Sequence, residues 1–359
     1  MSERPWLNNY DAGVPQTIDY PAIPLFDLLS QASEKYPDAA CTIFKGARIT
    51  YQEMDAITDR LAAGLASIGV KKGDRVGIFM PNTPQFVMAY FAVLKLGAIV
   101  VAINPLYTAP ELVHQTNDAG LEVMLVMSNF YNMVKEVQPK TKIKTLVVTN
   151  IKETLPSILA FLFTLTKEKK DGFRIQLAEN DHWMQDFITA HQPEQRPQVG
   201  VSPDDNALVQ YSGGTTGISK AAIAMHRNLV ANAIQIRSWM VEAKDGEETV
   251  LMGLPLFHVY GMVAGMLFGI RTGAALVMVP NPRDLEDLLG NAQKYKTTIF
   301  PGVPTLYNLI NNSPEAQAGK YDLSSIKACI SGSAPLMRET KEQFEKLTGG
   351  VVLEGYGLS

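Results

Sequence analysis

The densest run of chemically capable residues is Tyr211-Ser212-Gly213-Gly214-Thr215-Thr216-Gly217-Ile218-Ser219-Lys220. Its three glycines let the backbone turn sharply and present successive N–H groups. Such a nest beside a helix N-terminus suits phosphate oxygens. Ser212, Thr215 and Thr216 add hydroxyl donors, and Lys220 adds a cation. The run follows an apolar strand at 207–211, and the sequence predicts that it leads into a helix. It is not a Walker A motif, which needs Gly-x-x-x-x-Gly-Lys-Ser/Thr, because Ile218 and Ser219 separate Gly217 from Lys220. The plain alternative is a polar loop with glycine at its turns. A second alternative is a nucleophile elbow at Gly217-Ile218-Ser219-Lys220-Ala221, with His258 as a downstream base. An elbow needs an apolar strand directly before its serine, and Gly213 to Gly217 stand there instead. A serine α/β-hydrolase is therefore the weaker reading.

The elements that must position this loop follow from length and patterning. A chain of 359 residues suggests two or three domains. Hydrophobic residues make up 46% and charged residues 19%, enough apolar content for large cores. With 32 basic and 36 acidic side chains the formal net charge is −4, which argues against a nucleic-acid partner. Cys41 and Cys329 lie too far apart in sequence for a metal knuckle and read as buried reduced thiols in a cytoplasmic protein. Neither an export signal nor a membrane span is legible; the apolar runs 86–103 and 259–279 are each broken by a charge and a glycine.

Apolar strands alternate with amphipathic helices along the chain. Thr50-Tyr51-Gln52-Glu53 and Thr108-Ala109-Pro110-Glu111 have the form of capping boxes, and Thr83-Pro84 opens a further helix. Strands are predicted at 75–80, 98–103, 121–127 and 143–149. A second series is predicted at 207–211, 249–253, 275–279, 297–300, 326–330 and 351–353, with helices starting near His226, His258, Asp284, Pro304 and Pro335. The expected fold is α/β, with two tandem, mostly parallel sheets flanked by helices. The expected division is a first subdomain at 1–202, ending in an insertion or linker at 151–202, and a second at 203–359.

The loop at 211–221 resembles the phosphate-binding motif of the adenylate-forming superfamily, which includes acyl-CoA synthetases, luciferases and adenylation domains. Further stretches resemble that family in order: Pro255-Leu256-Phe257-His258, Pro301-Gly302-Val303-Pro304, Ser331-Gly332-Ser333-Ala334-Pro335 and Glu354-Gly355-Tyr356-Gly357-Leu358-Ser359. Met80-Pro81-Asn82, the run 101–107 and the Gly213-Gly214 pair are similar to the long-chain fatty acyl-CoA synthetase branch. Ser219 and Ala221 depart from the family's usual Pro and Gly, which bears on loop stiffness.

The resemblance implies ATP-dependent joining of a medium- or long-chain fatty acid to AMP, then to CoA, with Mg²⁺ as the metal. It assigns Ser212, Gly213, Gly214, Thr215, Thr216, Gly217 and Lys220 to the phosphates, and Thr215 also to Mg²⁺. Gly332, Ser333, Ala334 and Pro335 would line the adenine site, with Tyr356 stacked on the base. Gly355, Leu358 and Ser359 would border the α-phosphate and the acyl carboxylate, and Glu354 and Gly357 belong to the same nucleotide-binding run. Phe257 and His258 would stand beside the reacting carboxylate, with His258, Thr215 and Lys220 in catalytic roles. Tyr260, Gly302, Val303 and Ser331 would wall the acid. His114, His182, His191 and His226 read as structural.

The family pattern continues beyond Ser359 with a Mg²⁺-binding Glu, a ribose-binding Asp, a hinge and a small domain bearing a catalytic Lys. The chain therefore reads as the large N-terminal region, expected to fold but not to turn over alone. A non-catalytic ATP- or acyl-binding module is the alternative for this chain. The exposed second core makes a homodimer an expectation. Residues 155–170 join Ile158, Phe161, Leu162 and Phe163 to Lys167, Lys169 and Lys170. They are read either as a flap packed on the second sheet or as a peripheral membrane contact.

Overall fold

A computed structural model describes residues 4–212 and 219–358. Its first strands are β1 (Ala40–Phe44), β2 (Ala47–Thr50), β3 (Arg75–Phe79), β4 (Ile99–Ala102), β5 (Val123–Met127), β6 (Thr145–Thr149) and β7 (His182–Trp183). Then come β8 (Asn206–Tyr211), β9 (Ala221–Met225), β10 (Thr249–Met252), β11 (Ala275–Met278), β12 (Ile299–Gly302), β13 (Ala328–Ser331) and β14 (Val351–Glu354). They form two seven-stranded sheets, ordered β7-β6-β5-β3-β4-β8-β9 and β14-β13-β12-β10-β11-β1-β2. Pairing is parallel except for the two hairpins β1–β2 and β8–β9. The central strands are buried on both faces, which is why they read as unbroken apolar runs.

Local chemistry sets the helices. In α1 (Tyr51–Ser67), the Thr50 hydroxyl accepts the Glu53 N–H, and the Glu53 carboxylate accepts the Thr50 N–H at 2.8 Å. Proline at the first position opens α2 (Pro84–Lys95), which is buried along its whole length. It is the central helix, enclosed by both sheets' apolar faces in one shared core. In α3 (Ala109–Ala119), the Thr108 N–H donates to Glu111 at 2.7 Å, and Gly120 closes the helix at φ +64°.

The sheets do not follow the expected division at 202/203. β1, from the N-terminal lead, pairs with β11 in the sheet of the later half, and β2 hairpins onto its outer edge. Conversely β8 pairs with β4 in the sheet of the earlier half, and β9 hairpins onto its outer edge. Pairing is decided by which edges meet, and each half donates a hairpin to the other's sheet. The 151–202 segment is also not a bare linker. It contains α4 (Ser157–Thr166), the edge strand β7 and a further helix, Met184–Ala190. Pro156 does not prevent α4, because it stands at the cap, outside the hydrogen-bonded turns.

Candidate active site

The glycine-rich run closes the β8–β9 hairpin. At its neck the Ser212 N–H donates to the Lys220 carbonyl at 3.0 Å, and the Ser212 hydroxyl donates to the same oxygen at 3.3 Å. The Ser219 hydroxyl donates to the Ser212 carbonyl. The Lys220 side chain is exposed beside this neck. Gly213, Gly214, Thr215, Thr216 and Gly217 lie outside the described residues, as does Ser359.

Two expectations are corrected here. No helix follows the run directly: β9 intervenes, antiparallel to β8, and α5 (His226–Trp239) starts only after it. A five-residue, alanine-rich edge strand is too short to show a period of two, so the sequence concealed it. The expected helix N-terminus is therefore not available next to this loop. The elbow reading also fails. Ser219 leads into a strand, and its hydroxyl is committed to a backbone carbonyl.

The Pro255-to-His258 segment leaves β10 and is clamped by a side chain from the other sheet. Asn82 is buried; its Nδ2 donates to the carbonyls of Met252 at 2.9 Å and Leu254 at 2.7 Å. Its Oδ1 accepts the Leu256 N–H at 2.8 Å. Gln210, on β8, donates to the Phe257 carbonyl at 3.2 Å. These two side chains fix the Pro255-to-His258 segment across the sheet boundary. Asn82 figured in the sequence only as part of a resembling motif and Gln210 not at all; a lone amide carries no periodic signal.

His258 is half-buried, and burial lowers its pKa below the usual imidazole value. Its Nδ1 accepts the Tyr260 N–H at 3.2 Å, so the neutral ring carries its proton on Nε2. Tyr260 begins a seven-residue π-helical turn, Gly261–Leu267. Close approach requires the glycines in it. A Cβ at Gly261 would stand 2.3 Å from the Pro255 carbonyl oxygen, and one at Gly265 would stand 2.5 Å from the Met252 methyl. Wide turns of this kind recur at functional sites.

Tyr260 ties the turn to the sheet. Its hydroxyl lies 3.0 Å from the Gly302 carbonyl and 2.7 Å from the Ile330 carbonyl. A Cβ at Gly332 would stand 3.0 Å from its ring. The Gly332 N–H donates to the Gly302 carbonyl at 3.3 Å, and the Gly355 N–H to the Ser331 carbonyl at 2.7 Å. The Glu354 carboxylate accepts the Leu336 N–H at 3.1 Å. Ser333 holds φ +70°, a left-handed conformation uncommon for a residue with a side chain and often retained where a site needs it. Ala334 and Pro335 are exposed on the same turn.

A cavity of about 290 Å³ opens at this corner. Its apolar wall is Ile236 of α5 with Val259, Val263, Ala264 and Ile330. Its polar end is Gly332, Ser333 and residues 355–358, where Tyr356 is 94% exposed. Asn232 and Gln235, which the sequence did not single out, complete the wall from α5. Thus Tyr260, Gly332, Ser333, Gly355, Tyr356, Gly357 and Leu358 come together. Gly302, Val303 and Ser331 do not border this cavity. Gly302 is buried against Tyr307 and under the Tyr260 hydroxyl, Ser331 is buried, and Val303 packs on the second core. Among the described residues no group of three His, Cys, Asp or Glu side chains could hold a metal ion.

The family model for the AMP-binding enzyme matches residues 29–359. A long-chain-fatty-acid–CoA ligase of Bacillus subtilis is 38% identical over 362 residues, covering 100% of this chain and 64% of its own length. An Escherichia coli long-chain-fatty-acid–CoA ligase is 33% identical, over 99% of this chain and 64% of its own length. The crystal structure of a long-chain-fatty-acid–CoA ligase from Archaeoglobus fulgidus superposes with a TM-score of 0.80 at 26% identity, over 97% of this chain and 66% of that one. The chain thus spans 64% of the length of these curated relatives. The match over residues 29–359 shows that the chain belongs to the AMP-binding enzyme family.

Proposed function

We propose that this chain is the substrate-binding N-terminal part of a fatty acid–CoA ligase. The observation that carries the reading is the cavity's two-ended chemistry. One wall is aliphatic, formed by Ile236, Val259, Val263, Ala264 and Ile330. The other end offers backbone and hydroxyl groups at Gly332, Ser333 and residues 355–358. An acyl adenylate has the same polarity, an apolar chain joined to a nucleotide. The relatives' own activity supports the substrate class.

A carboxylate repels nucleophiles, so it must first be given a good leaving group. In the proposed reaction a carboxylate oxygen attacks the α-phosphorus of ATP and pyrophosphate leaves. The CoA sulfur then attacks the acyl carbon and AMP leaves. Bringing two anions together demands positioning and charge neutralisation. Lys220 and the Ser212-to-Gly217 run are proposed to hold the pyrophosphate-forming phosphates. Asn82 and Gln210 hold the segment that presents His258. A neutral His258 with its proton on Nε2 can orient a carboxylate by donating to it without bringing a second titrating charge. Tyr260, locked onto the ends of β12 and β13, separates the acyl wall from the nucleotide end.

Mg²⁺, when bound, neutralises phosphate charge, and Thr215 is the residue proposed to ligate it. ATP and CoA as co-substrates place the proposed reaction in the cytoplasm. No helix among the described residues is long and apolar enough to cross a membrane.

The test is pyrophosphate exchange by the full-length protein over a panel of carboxylic acids. Exchange rising from short to dodecanoic acid is expected. Preference for acetate or benzoate over dodecanoate would overturn the fatty-acid assignment.

A further inference from the structure

Helix α4 is amphipathic in the wrong direction for a helix that ends in water. No residue of α4 is buried. Ile158, Phe161 and Leu165 are 76%, 64% and 66% exposed, with Leu159 and Leu162 exposed beside them. At 100° per residue these five side chains occupy one continuous outer face. Ala160, Phe163 and Thr164 form the inner one. The expected flap packed on a sheet is therefore not what forms.

The helix is nonetheless firmly seated. The Phe163 ring meets Phe173 edge-on at 5.3 Å. Beyond its C-terminus, buried Glu168 receives Lys152 at 2.5 Å, Asn150 at 3.1 Å and Arg174 at 3.4 Å. The Glu168 N–H returns to the Phe163 carbonyl at 2.8 Å. The outer face is held open by these contacts, so its exposure belongs to the folded state.

Charge identifies what covers the face. Lys167, Lys169 and Lys170 follow it directly, all exposed and none in an ion pair among the described residues. Asp171 is the one exposed acid beside them. At the other end, exposed Arg48 shares a recess with Leu155. An apolar strip flanked by cations is the pattern that inserts into the head-group region of an anionic bilayer. A second copy of the chain is a poorer fit. Ten residues give a helix about 15 Å long, whose single outer face is too small by itself for the ~800 Å² a side that stable protein interfaces bury.

We propose that α4 with Lys167, Lys169 and Lys170 is a docking face for an anionic lipid bilayer. The five outer side chains enter the head-group layer and the lysines pair with lipid phosphates. β6, which feeds α4, and β8, which feeds the glycine-rich loop, run parallel and end at the same edge of one sheet. They are four strands apart, about 19 Å at normal strand spacing. Docking would bring that sheet edge close to the bilayer. The inference rests on α4 and the three lysines that follow it, and stands apart from the fatty-acid reading.

The experiment is flotation of this chain, and of the full-length protein, with phosphatidylcholine vesicles and with vesicles containing about one-third phosphatidylglycerol. Flotation with the anionic vesicles is expected, at least fivefold above the neutral ones, and reduced by salt. A triple variant, Ile158→Ser with Phe161→Ser and Leu165→Ser, should lose it, as should charge reversal of the three lysines to Glu. Circular dichroism checks that the variants fold. Should the serine variant misfold, Leu162→Trp serves instead, with a blue-shifted emission expected on adding anionic vesicles. Equal flotation of wild type and variants, an unshifted emission, or α4-dependent self-association without lipid binding overturns the proposal.

Discussion

The Asn82 side chain, from the turn after β3, accepts the backbone N–H of Leu256, two residues before His258, at 2.8 Å across the boundary between the two sheets. Its amide nitrogen simultaneously holds the carbonyls of Met252 and Leu254. One buried amide therefore fixes three backbone groups of the segment that carries the candidate catalytic histidine. Asn82→Ala should leave those groups unsatisfied and cost about 1–3 kcal/mol. Acid-dependent AMP formation by the full-length protein should fall more than ATP binding does, because the lesion lies on the carboxylate side. Denaturant unfolding and isothermal calorimetry separate the two effects; unchanged stability would refute the clamp.

Lys220 stands exposed at the neck of the β8–β9 loop, where Ser212 bonds to its carbonyl. Removing its charge should weaken ATP use without unfolding the hairpin, since the neck bonds are made by its backbone. A charged hydrogen bond contributes about 1.5–3 kcal/mol, so Lys220→Ala should raise the ATP requirement by roughly ten- to 150-fold. The measurement is KM for ATP in the full-length protein. An unaltered value would remove Lys220 from the phosphate site.

The aliphatic wall predicts a chain-length pattern. Each CH₂ buried there should improve kcat/KM by about 0.8 kcal/mol, roughly fourfold, until the cavity is full. Ala264 lines that wall, and Ala264→Phe should fill it. The variant should lose dodecanoate use by tenfold or more while retaining that of hexanoate. A uniform loss across all chain lengths would point to misfolding and would count against the cavity as the acyl site.

Two buried groups predict opposed pH dependences that conceal each other in the wild type. Burial lowers the pKa of His226 to about 4, while its Nδ1 accepts the Leu25 N–H. That contribution to stability is present above the unfolded value near 6.5 and is lost as pH falls through 4. Burial raises the Glu153 carboxyl to about 7, only partly offset by the Thr149 hydroxyl. Its contribution is present below about 4.5 and is lost as pH rises through 7. Each is worth about 3 kcal/mol. Glu153→Gln should thus give a Tm that rises between pH 4 and 6.5. His226→Gln should give one that falls between pH 4.5 and 7. Parallel profiles in both variants would show that neither group titrates as buried.

Much of the scaffold was legible because it depends on local chemistry. Thr50 with Glu53, Thr108 with Glu111 and Pro84 mark helix starts whose bonds are made within four residues. Strands such as 123–127 announce themselves because both faces must be apolar when helices cover them. The ordered motifs at 211–221, 255–258, 331–335 and 354–359 likewise carried the family, since each is a contiguous run.

What the sequence could not disclose are relationships between residues far apart along it. Nothing local tells β1 and β2 to join the sheet of β10–β14, because an edge strand's partner is chosen by which edge is free. Asn82 meets Leu256 across 174 positions, and Gln210 meets Phe257 across 47. Single amides have no period from which such meetings could be inferred. Tyr260 was readable as a wall residue, but its span between Gly302 and Ile330 depends on the register of β12 against β13. The same reason explains why Gly302, expected at the cavity, lies beneath Tyr260 and Tyr307. The apolar character of 155–166 is written in the sequence. That its apolar face points outward follows only from tertiary anchoring by Phe173, Lys152 and Arg174, which fixes the rotation of the helix.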